Sequence, residues 1–431
     1  MYRVLFIAVV TVLSFIGSIL FLPRISIGKK YSVKLYPLIP LTGGAIMLLL
    51  GDVRLKSVVS AFVADSSVNP IRILILFFSM TIFSLLLDQT GFFEHISGVI
   101  LQRAGHSQHK IFLSLYAIIS VLTVFTSNDI VILTFTPFIC HFCRAAKIDP
   151  IPYLIMEFIA ANTWSLFLLI GNPTNIYISG AFDIEFFNYV RVMALPTIAA
   201  GLTSLALMLL IFRKKLCGEI WTETVPEPIT DHLLMWIALI HLGACVVLLS
   251  VSQYLGLEMW LISLGMAFSA VICSAVCLLV RKKGLRCVGR AIGHMPFEII
   301  PFIIGMFVIV LALEENRVTS WAADLLCFDE SVFSYGLLSF LSCNVLNNIP
   351  MSVLFSKIMS FGATEGQIYA TVIGSNLGAF LTPVGALAGI MWLNLLKKNQ
   401  VKLSTPRFVL YGAGIGIPSI AASLVILEVI L

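Results

Sequence analysis

Runs of about 20 apolar residues, the length that crosses the hydrocarbon of a bilayer, recur from one end of the chain to the other. This feature limits the fold strongly, because backbone polar groups inside hydrocarbon must bond to one another within helices or closed barrels. Of the 431 residues, 59% are hydrophobic and 11% are charged, whereas soluble domains carry about 25% charged residues. We therefore expect an all-α polytopic membrane protein without a soluble domain.

Eight uninterrupted spans are predicted from these runs. The first run follows a single Arg3 and has no small-x-small cleavage site, so we expect a retained span rather than a signal peptide. The predicted spans cover residues 4–22, 35–51, 71–92, 197–213, 233–251, 257–280, 297–313 and 408–429.

Four further apolar segments are interrupted in the middle, two in each half of the chain. The first pair breaks at "SND" (Ser127–Asp129) and "NNIP" (Asn347–Pro350), and the second pair at "GNPTN" (Gly171–Asn175) and "LTPVG" (Leu381–Gly385). Their recurrence in the same order predicts an internal twofold repeat. The predicted units are a first repeat 1–212 with a hairpin 111–143 and a broken helix 151–182, a cytoplasmic linker 213–232, and a second repeat 233–431 with a hairpin 332–360 and a broken helix 368–395.

The distribution of basic residues tests the topology. If the first broken segment of each half is a re-entrant hairpin, each repeat has five crossings and the two repeats are inverted. The loops then assigned to the inside hold most of the 27 Lys and Arg residues, as the positive-inside rule requires. Those loops are 23–34, 93–110, 144–150, 213–232, 281–296 and 396–407, and both termini are predicted outside.

The four breaks indicate a function. Non-helical backbone at membrane depth is tolerated only where it lines a cavity or is buried in protein. Paired breaks in inverted repeats are typical of secondary transporters, whose discontinuous helices hold substrate and coupling ion near the midplane. We therefore predict a substrate site formed by the polar residues of the broken segments, namely Ser127, Asn128, Asn162, Asn172, Thr174, Asn175, Asn347, Asn348, Ser375, Asn376 and Thr382.

Two acidic residues in these segments are candidates for ion coupling. A carboxylate deep in a membrane is costly unless it is paired or protonated, and such residues are usually functional. Asp129 fits this description, and its counterpart in the second repeat is the amide Asn348. We interpret Asp129 as a proton site or part of a sodium site, and the alternative is a solvated helix cap. Glu157 either faces the same cavity or lies near the inner interface.

The expected midplane contains no Lys or Arg, so helix N-termini and Asn or Thr groups alone would have to hold an anion. An ionised Asp129 would repel a dianion, which favours a neutral or weakly charged solute, or a cation, exchanged against protons. We expect H⁺ rather than Na⁺ as the coupling ion, and no cofactor or metal. The net charge of +5 is spread over loops, which predicts no nucleic-acid partner.

Two other classes of function were compared with transport. An intramembrane enzyme needs a nucleophile–base pair or a metal-ligand cluster. The motifs His-x-x-x-His and Gly-x-Ser-x-Gly are absent, and "CHFC" (Cys140–Cys143), which has metal-like spacing, stands alone. We therefore predict that the chain is not an enzyme. A channel stays open as an alternative, and steady flux without coupling to a gradient would reveal it.

Five motifs spread over nearly the whole chain resemble those of arsenical efflux pump membrane subunits. They are "SLLLDQTGFFEH" (Ser84–His95), "SNDIVILTFTPF", "GNPTNI", "NNIPM" and "VIGSNLGAFLTPVGALAGIMWL" (Val372–Leu393). That family belongs to the ion-transporter superfamily, with the NhaD-type sodium/proton antiporters and the dicarboxylate and citrate carriers. The resemblance implies inverted repeats, opposed hairpins and extrusion of arsenite or antimonite against protons. A cytoplasmic ATPase subunit docked on the protein is possible under this resemblance, and so is a homodimer.

The chain departs from that family at three positions. Ile130 stands where the pumps typically have glycine, and Asn162 and Asn376 stand where they tend to have aspartate. We therefore predict a secondary active transporter in a bacterial plasma membrane, with proton-coupled efflux of arsenite, antimonite or a similar small inorganic solute. The alternative is a sodium-coupled di- or tricarboxylate carrier or a sodium/proton antiporter of the same superfamily.

Overall fold

A computed structural model describes residues 1–21, 24–27, 31–64, 69–220, 227–252, 255–326 and 331–431. Within these ranges the chain is helical apart from one antiparallel hairpin, β1 (Arg24–Ile27) and β2 (Tyr31–Lys34). Nothing in the apolar pattern predicts this short hairpin, which lies in the loop after the first helix. The predicted all-α polytopic class is confirmed.

The helices of the second half repeat the order of those in the first half, with α4–α10 corresponding to α14–α20. Short 3₁₀ turns at Leu169–Gly171, Gly378–Phe380 and Pro383–Gly385 interrupt the two broken crossings. The helices are α1 (Tyr2–Phe21), α2 (Leu38–Leu49), α3 (Leu55–Val63), α4 (Pro70–Gln89), α5 (Phe92–Ala104), α6 (Gln108–Phe125), α7 (Asn128–Ala145), α8 (Ile151–Trp164), α9 (Pro173–Ala181), α10 (Phe186–Leu216), α11 (His232–Ser250), α12 (Met259–Val280), α13 (Arg286–Gly293), α14 (Ile299–Glu315), α15 (Val318–Leu326), α16 (Val332–Leu346), α17 (Asn348–Met359), α18 (Glu365–Leu377), α19 (Leu387–Lys398) and α20 (Thr405–Ile430).

Seven described helices are long and apolar enough to cross a membrane, namely α1, α4, α6, α10, α11, α12 and α20. Three predicted spans have different bounds in the structure. The predicted span 35–51 is the 12-residue helix α2, which ends just before Gly51 at a φ of 73°. The predicted span 297–313 is α14, which meets α15 at a bend of 76°. The predicted span 197–213 is only part of α10, because Pro196 lies inside that helix instead of starting it.

The first hairpin consists of α6 and α7, which enter and leave on one side. At the start of α8, the Tyr153 hydroxyl donates to Oε1 of Gln108 at the start of α6, at 3.2 Å. The Tyr153 ring also lies 6.5 Å from that of Phe142, near the end of α7. At the other end of α8, Asn162 bonds to Asn128 at the hairpin tip. Helix α6 alone is long enough to span a membrane. The two contacts of Tyr153 nevertheless place both outer ends of the hairpin, the start of α6 and the end of α7, beside the start of α8.

The second hairpin, α16 and α17, has the same relation to α18. Val332, at the start of α16, packs against Gly366 at the start of α18. The Thr371 hydroxyl of α18 lies 3.2 Å from the sulfur of Met359, at the end of α17. The tip of this hairpin lies at the far end of α18, where Asn344 donates to the carbonyl of Gly378 at 2.9 Å.

The two hairpins open toward opposite ends of the bundle, and α20 connects those ends. Arg144, at the end of α7, donates to the carbonyl of Asn399 just before α20, at 2.9 Å. The other end of α20 brings Leu431 against Gly366 of α18. This opposed arrangement is the one expected for inverted repeats, while the repeat boundaries and the linker 213–232 stay predictions.

The two ends of the bundle differ in charge. One end, here called the basic end, carries Lys215, Arg281 and Lys283 in ion pairs with Asp149 and Asp231. The opposite end holds both chain termini, because Arg3 pairs with Asp52 there and Leu431 lies beside the start of α18. Both termini therefore lie on the side away from the basic loops.

Helices α10 and α20 pack antiparallel and support the broken crossings. The Ser423 hydroxyl of α20 donates to the carbonyl of Pro196 in α10 at 3.1 Å, and the Phe212 and Tyr411 rings lie 5.1 Å apart. Gly412 allows α20 to touch the 3₁₀ turn of the second crossing, since a Cβ at this position would lie 1.7 Å from the carbonyl oxygen of Phe380. A larger residue at position 412 would push the broken segment out of place.

Candidate functional site

The two broken crossings meet at Asn376. Its side-chain amide donates to Oδ1 of Asn175 at 2.8 Å, and its Oδ1 accepts from Asn172 at 2.7 Å and from Ser165 at 3.1 Å. Thr174 lies 3.3 Å from Ser375 and 3.4 Å from Asn376. We call these six residues, Ser165, Asn172, Thr174, Asn175, Ser375 and Asn376, the amide cluster. It joins the end of α18 to the break between α8 and α9.

The amide cluster is satisfied internally. Asn172 caps α9 by accepting from the Thr174 backbone at 3.2 Å, and Asn175 donates to the carbonyl of Ser165 at 2.8 Å. Because buried polar groups are expensive to leave unpaired, a closed network of this kind fixes the geometry of the two breaks. The predicted substrate-binding residues Asn172, Thr174, Asn175, Ser375 and Asn376 are therefore together, but their polar atoms are engaged with one another.

The tip of the first hairpin lies against the end of α8. Asn128 donates to Oδ1 of Asn162 at 3.1 Å, and its own Oδ1 accepts from the Asp129 backbone at 2.9 Å. Asp129 lies in the first turn of α7, where the helix dipole favours a negative charge. The residue is only 5% exposed. Within the described residues its carboxyl group accepts no hydrogen bond, and the buried Ser127 hydroxyl has no partner either.

The tip of the second hairpin is held differently. Asn347 adopts a φ of 71°, a backbone conformation that non-glycine residues rarely occupy and that clusters at functional sites. Its amide donates to the carbonyl of Val384 in the second broken crossing at 2.8 Å. The Oδ1 atoms of both Asn347 and Asn348 are buried without a hydrogen-bond partner in the described structure. No hydrogen bond among the described residues joins this tip to Asp129.

Thr382 and Glu157 lie outside both tips. Thr382 donates to Oδ1 of Asn344 at 2.7 Å, which ties the second break to α16. Glu157 is fully buried in α8 and accepts from Thr136 of α7 at 2.8 Å, while its Oε2 has no partner among the described residues. The indole of Trp392 in α19 faces the same carboxyl group without completing a hydrogen bond. Glu157 is therefore enclosed by protein, between α7, α8 and α19.

Three residues of this region are absent from the sequence-based prediction. Ser165 and Asn344 are hydrogen-bonded within the breaks, and their position as polar residues in apolar helices could have indicated them. Tyr36 interacts electrostatically with Asp129. It comes from a loop before α2, and no local sequence pattern indicates a role for it. Among the described residues, no three His, Cys, Asp or Glu side chains come together as a metal site.

The chain is 28% identical over 350 residues to an "Arsenical pump membrane protein" of Escherichia coli, covering 76% of this chain and 79% of that protein. It is 22% identical over 413 residues to a "Putative arsenical pump membrane protein" of Bacillus subtilis, covering 86% of this chain and 89% of that protein. The sequence-based resemblance to arsenical pumps is thereby confirmed.

Two solved structures share the fold. The YdaH transporter of Alcanivorax borkumensis matches with a TM-score of 0.58 at 14% identity, covering 100% of this chain and 98% of that chain. MtrF of Neisseria gonorrhoeae matches with a TM-score of 0.52 at 13% identity, covering 98% of this chain and 94% of that chain. The first is described as a transporter and the second as one of a class of antimetabolite efflux pumps. At these identities the two structures show the architecture alone.

The family profile described as "Citrate transporter" matches residues 25–368. The match covers most of the chain and includes both hairpins and the first broken crossing. Because its relatives are pumps and transporters, this protein is an integral membrane transporter. The chain belongs to the CitMHS citrate transporter family.

Proposed function

We propose that this protein is a secondary active transporter that exports a small neutral inorganic solute of the arsenite or antimonite type in exchange for protons. One observation carries this proposal. At the second hairpin tip, the Oδ1 atoms of Asn347 and Asn348 are buried without a hydrogen-bond partner among the described residues. At the first tip, the Asp129 side chain adds carboxylate acceptors in a residue that is 5% exposed. Ser127 adds a hydroxyl that can accept as well as donate.

Unpaired buried acceptors favour a ligand that donates hydrogen bonds. Arsenous acid is neutral near pH 7, and each of its oxygens carries a hydrogen. Such a solute would satisfy acceptors that otherwise cost about 1–3 kcal/mol each while buried and unpaired. A sodium ion is the other ligand that suits oxygen acceptors.

A carboxylate solute is the second candidate, and the citrate-transporter description of the family favours it. Its charge would need donors, and α7, α9, α17 and α19 each direct an N-terminus into a break. Asp129 opposes a dianion at close range unless it is protonated or holds sodium. This candidate therefore implies sodium-coupled uptake, whereas the leading one implies proton exchange.

In the proposed mechanism Asp129 alternates between a proton and the solute. A carboxyl group without a protein partner inside the membrane is stable when it carries a proton or holds a ligand. If the solute binds from one side of the membrane and Asp129 is protonated from the other side, solute and proton are exchanged across the membrane. Glu157 is the second proposed ion-coupling residue, because its carboxyl group is fully buried, bonds to Thr136 of α7 through Oε1 and leaves Oε2 without a partner among the described residues.

The proposed setting is a bacterial plasma membrane with the basic end in the cytoplasm and both termini outside. A cytoplasmic ATPase subunit on the basic loops and a homodimer are further proposals that follow from the resemblance to arsenical pumps. The protein itself is proposed not to be an enzyme, in line with relatives that are transporters or pumps.

Uptake by energised everted membrane vesicles tests the solute. We expect the vesicles to accumulate arsenite, with accumulation abolished by a proton uncoupler and unaffected by replacing sodium with potassium. Citrate and succinate in excess should not compete. Sodium-dependent accumulation of a carboxylate, without arsenite accumulation, would overturn the proposal in favour of the second candidate.

A further inference from the structure

A cavity opens at the basic end beside the first hairpin. Its volume is about 670 Å³, and it lies between α7, the start of α14 and the end of α19. Charged and polar groups line it, among them Lys34, His294, Glu298, Asn394 and Lys397. We call it the basic vestibule. It brings elements of both halves around one space that water can enter.

The basic vestibule reaches toward Asp129 along α7. Its wall includes Leu133, four residues after Asp129 and therefore on the same face of the helix. One helical turn rises about 5.4 Å, so the vestibule ends about one turn from the Asp129 carboxyl group. Another cavity also touches α7, but at Cys140 and Arg144, farther from Asp129.

Tyr36 lies beside the vestibule, on the wall of a smaller neighbouring cavity. Its ring is buried between Phe15 and Phe302, each 6.5 Å away. Its phenol group interacts electrostatically with both Glu298 and Asp129. A second cavity of about 10 Å³ beside Tyr36 shares Lys34 and Lys397 with the vestibule, and this volume suits about one water molecule.

Glu298 faces the vestibule at the start of α14. Its side chain is 28% exposed and forms an ion pair with Lys34 of β2. The other charged or titratable groups around it are His294, Lys397 and Lys398 in the vestibule and Tyr36 on its inner side. The ion pair with Lys34 gives the carboxylate a partner, and its partial exposure lets water in the vestibule reach it.

We propose that the basic vestibule is the proton route between the basic end and Asp129, and that Glu298 and the Tyr36 hydroxyl pass the proton. In the direction of the proposed exchange, protonated Asp129 gives its proton to the Tyr36 hydroxyl oxygen while Tyr36 gives its own hydroxyl proton to the Glu298 carboxylate. Glu298 then releases a proton to vestibule water, so one proton moves from Asp129 to the basic end and each relay group returns to its starting state. This inference rests on the proposed role of Asp129.

Access to the vestibule is tested by cysteine labelling, which needs no knowledge of the solute. Leu133→Cys is treated with a charged, membrane-impermeant thiol reagent in everted vesicles and in intact cells, and modification is read by peptide-resolved mass spectrometry. The matched control is Ser352→Cys, four residues after Asn348 in the second hairpin and fully buried. We expect labelling of position 133 in everted vesicles alone and none of position 352. Position 133 protected in everted vesicles would overturn the vestibule as a route.

The relay is tested with Glu298→Gln and Tyr36→Phe, which remove a proton-carrying group and keep the shape. We expect each to lower uncoupler-sensitive arsenite accumulation at least fivefold, with no further loss in the double variant. Arsenite exchange at equal pH on both sides, which needs no net proton movement, should stay unchanged. Glu258→Gln is the matched control, because Glu258 also begins a helix and pairs with a basic residue, Arg72.

The outcomes separate the relay from the proposed function. Equal losses of accumulation and exchange would give Glu298 and Tyr36 a structural role and overturn the relay, as would unchanged accumulation. If the wild type moves no arsenite, or Asp129→Asn accumulates it normally, the proposed function fails instead. The labelling of Leu133→Cys then still decides whether the vestibule opens beside Asp129.

Discussion

At the scale of single residues, the two hairpin tips differ by one functional group. Asp129 and Asn348 occupy equivalent positions, and both are buried. The Oδ1 of Asn348 has no hydrogen-bond partner among the described residues. An amide and a carboxylate offer the same acceptor, but the carboxylate alone can bind a proton or neutralise a cation. This difference is why we assign ion coupling to the first half.

Glu157→Gln tests the second carboxyl group. Glutamine can keep the bond from Thr136, which is 2.8 Å long, so we expect the melting temperature in detergent to change little. Loss of the ionisable group should lower proton-driven accumulation about tenfold if Glu157 shares the coupling role. Glu365→Gln, an exposed acid at the start of α18, is the control. Wild-type accumulation by the Glu157 variant would remove this residue from the mechanism.

Asp231 provides a pH-dependent contact outside the membrane. Burial alone would raise the pKa of this carboxyl group, but hydrogen bonds from Arg281 and Lys283 outweigh it and lower the pKa to about 2 from 3.8. A carboxyl group whose pKa is lowered in the folded state stabilises the protein at pH values above its ordinary pKa. This stabilisation is lost as the pH falls toward the pKa of the folded state.

Asp231→Asn should therefore lower the melting temperature at pH 5 to 7, and the difference from wild type should shrink as the pH falls from about 4 toward about 2. Thermal unfolding across this pH range measures it. Asp149→Asn, which breaks a half-exposed pair with Lys215, is the control and should show a smaller difference throughout. A difference that is constant with pH would contradict the assignment.

At the scale of helices, the broken crossings depend on close packing around them. The amide cluster holds the breaks from within, and α20 holds the second break from outside through Gly412. Substituents on that glycine meet a backbone oxygen, which cannot move aside as a flexible side chain can. The packing of α20 therefore sets the position of the second break.

Gly412→Ala should lower stability and transport together. The added methyl group would lie 1.7 Å from the carbonyl oxygen of Phe380, and overpacking of this kind costs about 1–3 kcal/mol or more. Gly414→Ala in the same helix meets no atom within 4 Å and should behave like wild type. Melting temperature in detergent and vesicle uptake are the measurements. Equal behaviour of the two variants would contradict the packing argument.

At the scale of the whole molecule, the apolar pattern predicts the helical class, the paired breaks and the opposed hairpins. It places the first crossing break at Gly171–Asn175, whereas the helix already ends at Trp164, because Ser165 and the following apolar residues give no local stop signal. It also begins a span at residue 197, whereas α10 starts at Phe186 and continues through Pro196.

The division of labour within the site is less visible in the sequence. Asn376 and Asn348 look equally suited to bind substrate, yet one is bonded on every side and the other has a free acceptor. Which amide pairs with which depends on how distant segments meet, as with Asn172 and Asn376. The contribution of Tyr36 is also tertiary, since it comes from a loop packed against α14.

The central claim is that Asp129 couples solute movement to protons, and Asp129→Asn tests it most directly. Energised everted vesicles carrying wild type, Asp129→Asn or the control Asp149→Asn are compared for arsenite accumulation at equal protein levels. We predict that accumulation falls at least tenfold in Asp129→Asn and persists in Asp149→Asn, while the melting temperature stays close to wild type. Uncoupler-sensitive accumulation by Asp129→Asn at the wild-type rate would contradict the account and reduce Asp129 to a helix cap.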